Sequence, residues 1–303
     1  MVTAVCRYAM TVVGLPRIIS RDKGGGERGE RDGRVNQIQK QIHQEKRERR
    51  LAVCTNVRNA LRQHRLLFAF QPVVCASTGK VDYFECLLRM RDVKGSIVSG
   101  GHFITPIEQL GLIGFIDDYV LEQTLQELAN HPGVKLGLNV SGLTVCGGSW
   151  LQSLTSLLGG RSDLARRLVV EITETAALAD IGASARFVDT LRDAGCRVAL
   201  DDYGSGHTSP RQLEMMAIDT VKIDGSYIQN LADSREKQAL LRDMLGSINA
   251  FGCATVAEGV ENARDAAAAR EAGFDYLQGY HVAPPAIERA WLGTAPAATA
   301  RAG

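Results

Sequence analysis

"VALDDYGSGH", residues 198–207, begins as a buried strand and ends in two acids. Val198, Ala199 and Leu200 suit a dry interior, yet Asp201 and Asp202 follow at once, and Gly204 and Gly206 break the chain after them. Taken alone, an Asp-Asp before a glycine loop is a turn or a helix cap. It means more only if other strands in the chain end the same way.

They do. "LGLNVS" ends on Asn139, "LVVEIT" on Glu171 and "TVAEGVE" on Glu258; "TVKIDG" carries Lys222, "YLQGYH" carries Gln278 and the earlier "YFECLLR" carries Glu85. The steps between these positions are 54, 32, 30, 21, 36 and 20 residues, mostly one strand-helix unit each. Between the short β-branched runs the pattern predicts helices over 117–130, 149–158, 180–194, 233–251 and 262–272. Strands alternating with helices of this length imply a mainly parallel sheet. About eight strands in some 220 residues suit a closed (β/α)8 barrel of the TIM type. An open doubly wound sheet is the alternative, and it is disfavoured because no Gly-x-Gly-x-x-Gly turn follows a strand.

In a parallel barrel the C-terminal strand ends meet on one face, where active sites lie. Glu85, Asn139, Glu171, Asp201, Asp202, Lys222, Glu258 and Gln278 are therefore expected to converge. Neighbouring strand residues point to opposite sides, so Asp201 and Asp202 can share a site only if the strand stops there and the glycine loop turns the chain. Singly, each residue has an ordinary explanation: a turn former, a surface lysine, a salt-bridge partner, a helix cap. Together, five carboxylates at one mouth repel strongly and call for cations. All-oxygen donors favour hard ions, Mg2+ or Mn2+. Two such ions about 3.5–4 Å apart would activate water for phosphodiester hydrolysis, with Lys222 orienting the water or neutralising a phosphate oxygen.

The chain has 303 residues and 45% apolar content, enough for one barrel-sized domain and a short extension. No apolar run approaches the roughly 20 residues of a membrane helix, so no membrane span is expected. Residues 1–15 show no convincing cleavage site for a secretory leader. Seven scattered cysteines, an odd number with no Cys-x-x-Cys, read as reduced thiols of a cytoplasmic protein. The net charge of +1 conceals a basic segment and an acidic body. Residues 1–66 carry 15 Lys/Arg against 6 Asp/Glu, and the remainder 20 against 28. Polymeric nucleic acid is not an expected partner, since such a reading would rest on the basic segment alone. Residues 1–34 remain unplaced, with a glycine- and charge-rich flexible stretch at 22–34. Residues 35–65 read as a basic linker helix, with a dimerising or nucleic-acid-binding helix as the alternative. The barrel is set at 66–290 and a C-terminal tail at 291–303.

From about 66 to 285 the chain resembles the EAL-domain phosphodiesterases that act on cyclic di-GMP. Glu85-Cys86-Leu87 stands for the eponymous Glu-Ala-Leu, and "FQPVV" (70–74), "FITPIEQLGLIGFIDDYVL" (103–121), "NVS", "EITET", "DDYGSGHTS", "VKIDGSYI", "VAEGVEN" and "LQGYH" follow in family order. The resemblance implies a barrel with one antiparallel strand and hydrolysis of cyclic di-GMP to linear pGpG. It implies two Mg2+ or Mn2+ ions held by Glu85, Asn139, Glu171, Asp201, Asp202 and Glu258. Lys222 would assist the water, with Glu85 and Glu258 sharing in catalysis. Gln71, Arg89 and Gln278 would meet the substrate, Arg89 at a phosphate. Glu174 would hold the loop after Asp202, through which the family forms homodimers. Four positions depart from the family: Cys86 for Ala, His207 and Thr208 for Tyr-Ser, and Pro210 for an apolar residue. The rival expectations are a binding module that holds cyclic di-GMP without cutting it, and an interaction protein or unrelated barrel hydrolase.

Overall fold

The computed structural model describes residues 27–205 and 210–293, with no side-chain account for 27–39 or 210–211. Nine strands form one sheet: β1 (Leu66–Cys75), β2 (Val81–Arg91), β3 (Ile97–Ser99), β4 (Leu136–Val140), β5 (Leu168–Thr173), β6 (Arg197–Tyr203), β7 (Thr220–Ile223), β8 (Ala254–Ala257) and β9 (Tyr276–Leu277). Their order is β1-β9-β8-β7-β6-β5-β4-β2-β3, and pairing of β1 with β2 closes eight of them into a barrel. β1 runs antiparallel to both neighbours, and the ladder from β2 through β4 to β9 is parallel. β3 is an addition that the sequence pattern did not signal. β2 runs on past the barrel and folds back through an Asp92 turn, whose side chain accepts from the Lys94 and Ser96 amides.

The helices fall where the apolar periods placed them: Gly114–Asn130, Ser149–Leu158, Ile181–Asp193, Arg235–Ala250 and Ala263–Ala272. Their starts follow from local chemistry. Asp180, Ser234 and Asn262 each accept a first-turn amide with the side chain, leaving fewer unpaired donors at those helix ends. The strands are buried on both faces, so they read as nearly continuous apolar runs. Outward residues such as Leu138, Val170, Val198 and Val221 pack under the helices in the main core. Inward residues Val73, Tyr83, Val169, Ala199 and Val256 form a separate layer that fills the barrel.

Below that layer the barrel has a charged floor. Arg197 on β6 donates two hydrogen bonds, at 2.9 and 3.0 Å, to Asp82 on β2 across the barrel, and Lys135 reaches the same carboxylate at 2.6 Å. The two cations outweigh the cost of burial and hold Asp82 below its usual range. The tight β1–β2 connection contains no helix of its own to lie over their outer face. Part of that face is covered by the C-terminal segment: Ala286 bridges Phe70, and the Trp291 ring lies 4.8 Å from Phe70 and 5.0 Å from Phe84. A long basic helix, α1 (Glu27–Arg62), leads into β1; its last turns bury Cys54, Val57 and Ala60, while residues 40–49 are exposed throughout.

Candidate active site

Period-two alternation carries one polar layer to the upper rim. The strands bring Gln71 (β1), Glu85 (β2), Asn139 (β4), Glu171 (β5), Asp201 (β6) and Lys222 (β7) there, and Glu258 and Gln278 stand one residue beyond β8 and β9. Glu85, Glu171, Asp201, Glu258 and Gln278 each follow an inward apolar residue by two positions. Gln71 on antiparallel β1 precedes Val73 by two and pairs with Glu85, Asn139 pairs with Glu171, and Lys222 pairs with Val256.

Asp201 and Asp202 reach the rim in a way the sequence reading did not foresee. The strand does not stop at them: β6 continues to Tyr203, and its register against β7 slips between Leu200 and Tyr203. Asp202 takes φ +55°, a left-handed backbone that aspartate tolerates better than most residues. The irregularity re-aims the second carboxylate without ending the strand. Gly204 follows at φ +94°, where a Cβ would lie 2.7 Å from the Tyr227 ring, so this turn needs glycine.

Lys222 sits at the centre, 1% exposed. Its Nζ lies 2.6 Å from Glu171 Oε2, 2.8 Å from Asp201 Oδ1, 2.9 Å from Glu258 Oε1 and 3.4 Å from Glu85 Oε2. Asn139 Nδ2 donates to Glu85 Oε1 at 2.7 Å, and Gln278 Nε2 donates to Glu85 Oε2 at 2.6 Å. Gln71 donates to the Ala283 carbonyl and stands beside Gln278. Arg89 points into the cleft and donates to the Leu88 carbonyl. Glu174, also buried, accepts from the Gly204 amide at 3.0 Å and so ties down the start of the loop after Asp202. His207, Thr208 and the Pro210 side chain lie outside the described part of the structure.

The charge balance is uneven. Burial works against the Lys222 charge, but Asp201, Glu171, Glu258 and Glu85 outweigh it and lift the ammonium well above its usual range. One cation does not neutralise five acids. Burial pushes Glu171 up to about 8 against the pull of Lys222, with the Glu85 and Asp201 charges adding to the rise. Burial and the Asp201 charge lift Asp202 to about 7, and the same two causes carry Glu258 well above the carboxylate range. Burial also opposes ionisation of Glu85, but Lys222 and the bonds from Gln278 and Asn139 hold it below its usual value. Asp201, Asp202 and Glu258 each offer an oxygen within 4.8 Å of the other two, a spacing that one cation could bridge. Glu85 and Glu171 are linked to this trio through Lys222, and Asn139 through its bond to Glu85.

One residue of the site carries no motif. Tyr83, two positions before Glu85 and buried in the barrel, donates its hydroxyl to Glu171 Oε1 at 2.9 Å. Its inward phase was readable from the strand period, but nothing local reveals its partner, 88 residues away. Above the rim opens a cleft of about 470 Å3, whose walls include Arg89, Asp224, Glu261, Tyr280 and Pro285.

These observations define a TIM-like barrel with a carboxylate-rich, lysine-centred rim. Residues 55–285 match the EAL domain family, and the chain belongs to it. It is 30% identical over 240 residues to the cyclic di-GMP phosphodiesterase PdeF of Escherichia coli (strain K12), covering 78% of this chain and 32% of PdeF. The chain thus spans about a third of that relative's length. Among solved structures, the PaMucR phosphodiesterase in its c-di-GMP complex superposes with a TM-score of 0.72 at 26% identity, covering 78% of this chain and 97% of that one. The FimX EAL domain of Pseudomonas aeruginosa bound to c-di-GMP gives 0.73 at 25% identity, with the same shares covered. Among the described residues, no helix is long and apolar enough to cross a membrane.

Proposed function

We propose that this chain is a divalent-metal-dependent phosphodiesterase that hydrolyses cyclic di-GMP to linear pGpG. The observation that carries the reading is the rim itself, where five carboxylates and Asn139 gather about a single buried ammonium. The names of PdeF and PaMucR agree with it. Hard cations fit the residues present. The donor set is all oxygen, and Asp201 Oδ1 is buried without a hydrogen bond, its contact with Lys222 being ionic only. The ligands would be Glu85, Asn139, Glu171, Asp201, Asp202 and Glu258, holding two Mg2+ or Mn2+ ions. Such ions lower the pKa of a bound water and balance charge on a phosphate.

The chain's own side chains supply the rest. Lys222 is kept charged by its neighbours and can donate to an attacking water or to a phosphate oxygen. Arg89, on the cleft wall, offers a planar fork suited to a phosphate. Gln71 and Gln278 border the same cleft, and the buried Gln278 Oε1 accepts no hydrogen bond among the described residues, leaving it for water or substrate. Glu174 holds the loop after Asp202, through which a homodimer would form. The cytoplasm is the compartment that suits a soluble nucleotide substrate and unpaired cysteines.

The test is chromatographic detection of pGpG from cyclic di-GMP. Product should form with Mg2+ or Mn2+ and vanish with EDTA. Tight nucleotide binding without turnover at any metal concentration would identify a receptor instead.

A further inference from the structure

Tyr83 and Glu171 form a pair that no motif announces. The tyrosine stands on β2 within the layer that fills the barrel, and its hydroxyl meets Glu171 Oε1 at 2.9 Å. The other oxygen of Glu171 meets Lys222 Nζ at 2.6 Å. Glu171 is wholly buried, so both ends of its carboxylate are held and its direction is set.

The surroundings make room for this pair and brace it. Gly137 on β4 faces the inner layer between the two side chains. A Cβ there would lie 2.8 Å from the Tyr83 ring and 2.7 Å from Glu171 Oε1. The ring therefore occupies space that any larger residue at 137 would deny. From beneath, the Arg197 guanidinium lies 5.7 Å from the ring centroid and is itself bound twice to Asp82. The phenol is thus fixed in position and in hydrogen-bond direction.

We propose that Tyr83 is a positioning residue for Glu171: it occupies Oε1 from below, so that Oε2 alone is presented toward Lys222 and the cation site. The proposal rests on the metal-dependent reading of the rim. Outer partners that orient a ligating carboxylate typically change metal affinity or activity by about 10- to 100-fold when removed. The ordinary alternative is a buried hydroxyl that has found an acceptor and contributes only to stability.

The experiment titrates the full chain with Mn2+ alone by calorimetry and records melting temperature, KM and kcat alongside. The variants are Tyr83→Phe, Gly137→Ala and, as a control, Tyr276→Phe, whose hydroxyl has no contact with Glu171. Tyr83→Phe is expected to bind Mn2+ about 10- to 100-fold more weakly. Its kcat should fall at low Mn2+ and recover as Mn2+ is raised, with KM for cyclic di-GMP unchanged. Tyr276→Phe should bind Mn2+ as the parent does. Should Tyr83→Phe fail to fold, Gly137→Ala carries the test, because its methyl group would press the same two side chains apart and weaken Mn2+ binding. A folded variant with a lower melting temperature and parental Mn2+ affinity overturns the proposal, and leaves the proposed function standing if the parent cuts cyclic di-GMP. A parent chain that binds no Mn2+ overturns both.

Discussion

Lys222 faces four of the five rim carboxylates, and its removal tests what that ammonium does. Lys222→Ala should leave KM for cyclic di-GMP nearly unchanged and lower kcat by about 10²- to 10⁴-fold, the usual range for losing a positioned proton donor. Loss of nucleotide binding with the turnover of bound substrate intact would contradict the assigned role. The raised acids give the site a pH signature. With Asp202 at about 7 and Glu171 at about 8, a cation entering the rim must expel protons. Apparent Mn2+ affinity should therefore rise from pH 6 to 8 by up to about tenfold per unit for each proton released, then level off. Calorimetry in two buffers of different protonation enthalpy reads the released protons; a flat profile would refute this. The sign for stability is the opposite. Between the ordinary 4.5 and about 8 the native Glu171 binds more protons than the unfolded chain, so the metal-free protein loses stability as pH rises through that window.

At the scale of one element, β6 shows how a strand can deliver two adjacent carboxylates to one place. Its register slip and the left-handed Asp202 do this together, and the two roles of Asp202 can be separated. Asn tolerates a left-handed backbone at least as well as Asp, and Ala does not. Asp202→Asn should keep the parent's urea midpoint while losing most Mn2+-supported activity. Asp202→Ala should lose that activity and also about 1 kcal/mol of stability. Equal stability of the two variants would show that the backbone at 202 is unstrained. The elements differ in how openly they announce themselves. Helix bounds were legible because helix-length stretches alternate with short β-branched runs, and the structure adds the caps Asp180, Ser234 and Asn262 at three of the starts. The site residues were legible because each is a polar side chain that closes a short apolar run, as Asp201 does, or interrupts one, as Glu85 and Lys222 do. Asp202's conformation was not, because a bulge depends on a neighbouring strand. β3 was not, because three residues carry no period.

For the whole molecule, the same division holds between local pattern and distant contact. Barrel closure followed from counting strand-helix units, and the presence of one antiparallel strand from likeness to a family; that the strand is β1 comes from the structure. The pairing of Arg197 with Asp82 spans 115 positions, and that of Tyr83 with Glu171 spans 88, so no local window contains either. The C-terminal segment over β1 and β2 was likewise unreadable. Its aromatic contacts compensate for a helix that the short β1–β2 connection cannot supply.

The ion-paired base beneath a packed inner layer has a consequence for traffic. Arg197 and Lys135 bind Asp82 at one end, and Val73, Tyr83, Val169, Ala199 and Val256 pack as a buried layer above them that fills the interior among the described residues. The barrel is a cup and not a pipe. Whatever enters to react has to back out through the doorway it came in by, so under the proposed function substrate and product would share a single gate.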